Sequence, residues 1–176
     1  KDSLILTLGN YIQLMSKDIS EIPIDPYEAE DLDRLYGDLI SDWEEFIIKP
    51  FQFVLFSTNE DIKLGYNNYA FITTLTHIAR LGIMSHASSY YVDQGCEVNI
   101  TLEVKNLTPY TFVLHKGMPI SKLIVFENPN IEPVLIEESK KYISRYKKPG
   151  TLRSQFCYEF TPPARNQSGN SNHEIS

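Results

Sequence analysis

The chain has 176 residues, 42% of them hydrophobic and 22% charged, which suits a globular protein long enough to bury a core. A formal net charge of −7 and a pI near 5.1 argue against general nucleic-acid binding, which needs a basic surface. No run approaches the roughly 20 apolar residues of a membrane-spanning helix, and the two cysteines, Cys96 and Cys157, are too few and too far apart for a disulfide framework or a metal cluster.

A reducing cytoplasm is therefore the expected setting, with neither nucleic acid nor membrane as partner. No signal-peptide pattern opens the chain. Because Lys1 stands where an initiator Met would, the natural start is expected to be missing. The N-x-S/T triplets at Asn99, Asn106 and Asn166 are read as chance matches in that setting.

In chain order, "SLILTLGNYIQLM" predicts a strand, a Gly-Asn turn and a second strand. Residues 25–43 predict a helix, with Asp25 as cap, Pro26 at the first helical position and Glu28 as capping-box acid. Leu32, Leu35, Tyr36, Leu39, Ile40 and Trp43 would form its apolar face. Gly37 weakens that helix by about 1 kcal/mol relative to alanine.

From residue 45 to 127 the pattern is mostly strands: "FIIKPFQFVLFST", "YAFITTLT", "SSYYVD", "EVNITLEVKN", "TPYTFVLHK" and "PISKLIVFE". Turn residues part them at short intervals, which predicts a mainly β fold, an antiparallel sandwich or barrel. "IEESKKYISRY" predicts a short helix before the break at Pro149 and Gly150. Residues 1–160 are expected to form one domain, and the polar residues 161–176 a disordered tail.

Two features invite a functional reading. Lys140, Lys141, Arg145, Lys147, Lys148 and Arg153 crowd one late segment, whereas acids dominate residues 21–45. The basic segment is either a solvated face or an arm that closes over an anionic small ligand. In "EVNITLEVKN", Val98, Ile100, Leu102 and Val104 alternate with Asn99, Thr101, Glu103 and Lys105, so one strand face is apolar and the other polar. Glu103 then faces either solvent or a pocket.

The H-x-E and P-C-x-x-C elements of a zinc deaminase are missing. His77, His86, His115 and His173 have no metal-ligand spacing, and no P-loop, dinucleotide glycine motif or nucleophile elbow occurs. Hydrolytic chemistry would have to rest on a carboxylate and its neighbours, with no metal site and no cofactor for catalysis.

Two stretches together resemble a known family. "THIARLGIMSHASSYYVDQGCEVNITLEVKN" followed by "FVLHKGMPISKLIVFE" is similar to the dCTP deaminase branch of the trimeric dUTPase-like superfamily. The family's S-S-L-A-R-L-G falls on residues 76–82, its H-x-x-A-x-x-I-D-P-G-[WY] on 86–96, and its I-x-L-E-x-x-N on 100–106. Its P-G-M-x-I falls on residues 116–120 and a closing F-E on Phe126 and Glu127. "SLILTLGN" resembles the family's first strand, and "RYKKPGTLRSQ" its C-terminal arm.

The resemblance implies a dUTPase-like β-barrel or distorted jelly roll, assembled as a homotrimer whose sites lie between chains. It implies metal-independent deamination of a cytosine deoxynucleotide, with Mg²⁺ only as the triphosphate's counter-ion. Ten places after Asp93, dUTPases carry an apolar residue and deaminases the catalytic glutamate; here that place holds Glu103. The same correspondence gives Arg80 and Thr76 catalytic roles, and places His77, Ser89, Tyr91 and Asp93 against the nucleotide.

Departures from the family pattern keep a second reading open. Leu75 and His77 replace an arginine and a serine that contact phosphate, and Gln94, Gly95 and Cys96 replace P-G-[WY]. Ile5 and Thr7 stand for the first strand's aspartate and arginine, and the arm's glutamine pair is lost around Lys148 and Pro149. Lys147, Lys148 and Arg153 are the candidates to supply phosphate charge instead. The alternatives are a nucleotide-binding regulatory homologue on the same trimeric fold, or a dUTPase-type pyrophosphatase.

Overall fold

A computed structural model of the chain describes residues 3–17, 21–128, 137 and 152–162. The architecture is mainly β. Ten strands occur among the described residues: β1 (Ser3–Met15), β2 (Tyr36–Ile40), β3 (Glu45–Ile48), β4 (Phe53–Lys63), β5 (Asn68–Thr74), β6 (Ile83–Met84), β7 (Tyr91–Val92), β8 (Glu97–Asn106), β9 (Phe112–His115) and β10 (Pro119–Glu127). Helix α1 (Ala29–Leu35) precedes β2, α2 (Thr76–Arg80) follows β5, and one helical turn, α3, spans Phe156–Glu159.

The main sheet runs in the order β6-β8-β4-β1-β10-β5-β7, with β2 added to β1, and β3 pairs with β9 in a second sheet. It curls into a half-barrel, the mainly β form that the sequence led us to expect. Leu6, Leu8, Ile12, Val54, Phe56, Leu102, Val104, Ile120 and Leu123 lie in the core. Trp43 and Phe46 meet Phe56 edge-on at centroid distances of 5.6 and 5.5 Å.

The Gly-Asn turn expected at residues 9 and 10 does not form; β1 passes straight through it. Leu8 pairs with Thr58 and Ile12 with Phe56, so extra β1 residues bulge against β4. Gly9 serves close approach here, since a Cβ on it would lie 2.3 Å from the Thr58 carbonyl oxygen. Tyr11 N–H in this bulge donates to Ser57 Oγ at 3.0 Å, and Ile100 N–H donates to Thr58 Oγ1 at 2.9 Å where β4 shifts register against β8.

The helix expected over residues 25–43 is also shorter than its pattern. It spans Ala29–Leu35, and the chain then pairs with β1 as β2, placing Gln13 opposite Leu39. Gln13 Nε2 donates to the Gly37 carbonyl at 2.8 Å, so sheet pairing at the helix-weakening glycine overrides helical periodicity. Asp25 does not cap the helix. Its carboxylate accepts from Tyr27 N–H at 2.9 Å in a turn, and Glu28 is the N-cap residue, with no side-chain cap bond. Apart from Glu137, the helix expected at 136–146 lies outside the described residues, as do the arm's lysines and the tail from 163. Among the described residues, no helix is long and apolar enough to cross a membrane.

Candidate active site

Strand β8 carries its two faces as its sequence alternates. Ile100, Leu102 and Val104 are buried in the core, while Thr101, Glu103 and Lys105 are half-buried on the other side. Glu103 pairs across to Leu55 on β4, and Leu55 pairs to Gln13 on β1. Side chains directly opposite one another share a face, so Glu103, Leu55 and Gln13 form a row. Neither Leu55 nor Gln13 belongs to the core cluster, yet both are buried.

Arg153 reaches this row. Its Nε donates to Gln13 Oε1 at 2.9 Å, its Nη2 to the Gly37 carbonyl at 3.3 Å, and its guanidinium lies 5.4 Å from the Tyr36 ring centre. Asp33 adds a contact at 3.5 Å. The C-terminal segment is thereby planted on the face that displays Glu103, two strand spacings of about 4.8 Å each away. A cleft of about 300 Å³ opens between α1 and this segment, lined by Leu32, Tyr36, Arg153 and Tyr158 among others. Glu103 is not among its lining residues.

The carboxylate of Glu103 is held by backbone. Strand β6 runs antiparallel to β8, with Ile83 opposite Asn106 and Met84 opposite Lys105. Continuing that course brings the next residues alongside Glu103. There Ala87 N–H donates to Glu103 Oε2 at 2.9 Å and Ser88 N–H to the same oxygen at 3.2 Å. Oε1 accepts no hydrogen bond among the described residues. One oxygen is fixed and the other is unengaged among the described residues.

Thr76, His77 and Arg80 sit together on α2, and all three are exposed. The helix is anchored by buried Ile78, by Leu75 against the core, and by Leu75 N–H donating to the Ile120 carbonyl at 3.0 Å. None of the three side chains, nor that of Ser89, makes a hydrogen bond or ion pair among the described residues. No such contact joins Glu103 to Arg80 within the chain. The sequence reading missed α2 itself, because five residues continue a strand-like run without a capping signal.

Tyr91 and Asp93 flank the turn before β8. Gly95 has φ +71°, and a Cβ there would lie 2.3 Å from the Tyr66 ring, so the glycine that follows Asp93 and Gln94 is needed by the backbone. Asp93 is half-buried, and burial raises its carboxyl above the usual range. The Tyr91 phenol is also raised, first by burial and then by the nearby Asp93 charge. Burial, with Asp93 adding, pushes the Cys96 thiol up to about 11.

Tyr91 belongs to an aromatic patch the strand patterns did not announce. It meets Tyr69 at 5.9 Å and Phe71 at 5.7 Å, while Phe126 meets the same two rings at 5.4 Å each and Tyr90 meets Phe71 at 5.6 Å. Tyr90, Tyr91 and Phe126 are exposed. The signal was in the sequence, since Tyr69 and Phe71 share one face of β5; their partners come from distant strands. Among the described residues, no group of three or more His, Cys, Asp or Glu side chains is placed to hold a metal ion.

A family model described as dCTP deaminase-like matches residues 1–128. The chain is similar to a protein of Methanosphaera stadtmanae named dCTP deaminase, dUMP-forming: 33% identical over 148 residues, 81% of this chain and 74% of that one. A Nanoarchaeum equitans protein of the same name is 32% identical over 171 residues, 90% of this chain and 84% of its own length. Among solved structures, a 2′-deoxycytidine 5′-triphosphate deaminase from Agrobacterium tumefaciens superposes with a TM-score of 0.52 at 17% identity. That superposition covers 70% of this chain and 38% of the other, and it is a likeness of fold.

Proposed function

This chain belongs to the dCTP deaminase-like family, and we propose from that premise that it hydrolyses the C4 amino group of dCTP, with Glu103 carrying the protons. The observation that carries this reading is the clasp on Glu103: a half-buried carboxylate with one oxygen held by two backbone N–H groups and the other unengaged among the described residues.

The chemistry follows from that geometry. Water adds to C4 as Glu103 takes its proton and passes it to N3. The resulting hydroxyl then gives up its proton by the same carboxylate to the amino group. The C4–N bond breaks, ammonia leaves and the ring becomes uracil. A carboxylate fixed in place serves as base and then acid, a contribution of about 10²–10⁴-fold. Arg80 supplies positive charge and Thr76 orients the attacking water. Asp93, Tyr91, Ser89 and His77 contact the nucleotide. Lys147 and Lys148 bring charge to the triphosphate, and Mg²⁺ arrives as part of that substrate.

Because no contact joins Arg80 to Glu103 within one chain, each site is completed between neighbours of a homotrimer. The exposed rings of Tyr90, Tyr91 and Phe126 favour such an association, since a monomer seldom leaves a joined aromatic patch in water. Sedimentation across micromolar concentrations should give a trimer; a persistent monomer removes the shared site.

The regulatory alternative rested on Leu75 and His77. Leu75 is explained as the packing anchor of α2, and the family's glutamate is kept and clasped, so catalysis is the favoured reading. The names of the archaeal relatives favour continuation from dUTP to dUMP. Incubation with dCTP, dCMP and dUTP, with ammonia, pyrophosphate and nucleotide products measured, tests the proposal. Ammonia from dCTP supports it, and a protein that binds dCTP without releasing ammonia overturns it.

A further inference from the structure

We propose that Thr74, Ser85 and Ser121 are positioning residues for Glu103, acting through the segment whose amides clasp its carboxylate. The inference deepens the deaminase reading, and its activity arm rests on that reading. Thr74 ends β5, Ser121 lies directly opposite it on β10, and Ser85 follows β6. Ser85 and Ser121 are both 0% exposed.

Their hydroxyls satisfy one another. Ser121 Oγ donates to Ser85 Oγ at 2.6 Å, and Ser85 Oγ lies 2.9 Å from Thr74 Oγ1. Thr74 Oγ1 also accepts the Ser85 backbone N–H at 3.0 Å, and it lies 3.5 Å from His86 Nδ1. Residue 85 is thus held by both its main chain and its side chain.

Location gives the network its purpose. The ladder between β6 and β8 has only two registered pairs and ends at Met84. Three and four residues further on, Ala87 and Ser88 donate to Glu103 Oε2. Ser85, between the ladder and the clasp, is where the hydroxyl network grips. Small apolar side chains would fill the same buried space without the desolvation that a hydroxyl carries. The hydroxyls instead give direction, fixing where the next amides point. A carboxylate displaced by even 1 Å from its reacting partner loses much of its rate.

Thr74→Val and Thr74→Ser separate positioning from packing, because valine keeps the shape without the hydroxyl and serine keeps the hydroxyl without the methyl. We expect Thr74→Val to lower kcat for dCTP about 10-fold while KM moves less than about twofold, and Thr74→Ser to keep most of the rate. Amide exchange at Ala87 and Ser88 should quicken about 10-fold in the valine variant and stay near wild type in the serine variant. If Thr74→Val does not fold, Ser121→Ala carries the same test in the same direction, since it leaves the Ser85 N–H paired. Wild-type kcat and exchange in Thr74→Val, or a serine variant as impaired as the valine one, would overturn the inference. Wild-type protein that releases no ammonia would sink the deaminase reading alone, and exchange at Ala87 and Ser88 would still decide this one.

Discussion

Strand β8 and helix α2 carry the two halves of the candidate site, and they are built in opposite ways. Glu103 sits half-buried on a ten-residue strand paired along β4, and two amides hold its carboxylate. Thr76, His77 and Arg80 ride on a five-residue helix, exposed, without polar partners among the described residues. A carboxylate that must move protons gains from being fixed before substrate arrives. A guanidinium that meets an anion or a neighbouring chain gains from being left open. The difference teaches that the chain fixes one candidate group, the Glu103 carboxylate, with its own backbone and leaves the other, the Arg80 guanidinium, open.

If that division holds, changes on α2 should cost activity without stability, and changes beside β8 should cost stability. Arg80→Lys is the sharpest case. Lysine keeps the charge but loses the planar fork, so kcat/KM for dCTP should fall about 10²-fold, as when a preorganised donor is lost. The urea midpoint should correspond to a change within about 0.5 kcal/mol, because the side chain is exposed. Full activity in Arg80→Lys would break the comparison. Gly95→Ala tests the built half: the positive φ and the Tyr66 ring in its path should cost about 1–3 kcal/mol in chemical denaturation. An unchanged midpoint would mean the turn before β8 yields easily.

Asp93 lies between these extremes. Its folded-state carboxyl is raised above 3.8 by burial, so the folded chain binds the proton more tightly than the unfolded one. Stability therefore falls as pH rises from 3.8 through the folded value. Asp93→Asn removes that loss and should raise the urea midpoint at pH 7, with the gain shrinking as pH drops towards 3.8. An equal gain at all pH values would contradict the burial argument. The smallest effect concerns the thiols. With Cys96 held at about 11 and buried, roughly one thiol in a thousand is ionised at pH 8. Cys157 should be alkylated first in the native protein, and mass spectrometry of the labelled peptides checks the order.

Much of this layout was legible in the sequence where one periodicity acted alone. Residues 98–105 alternate strictly, and both the strand and the outward face of Glu103 follow from that. Residues 25–43 read as helix through local spacing, but Gln13, over twenty residues away, draws Gly37 and its neighbours into β2. The Gly-Asn pair read as a turn because close approach to the Thr58 carbonyl is invisible along the chain. The amides of Ala87 and Ser88 and the hydroxyls of Thr74, Ser85 and Ser121 were illegible for the same reason. Backbone donors carry no sequence signature, and buried serines look like loop serines until the strands that enclose them are placed.

Glu103 remains the point on which the account turns. Glu103→Gln is nearly isosteric, and its side-chain oxygen can still accept from Ala87 and Ser88, but an amide cannot take a proton from water. The measurement is ammonia released from saturating dCTP by wild type and by Glu103→Gln, with dCTP affinity measured on the same samples. The variant should bind dCTP within a few-fold of wild type and release ammonia at least about 10²-fold more slowly. A variant that binds and deaminates at the wild-type rate would contradict the account.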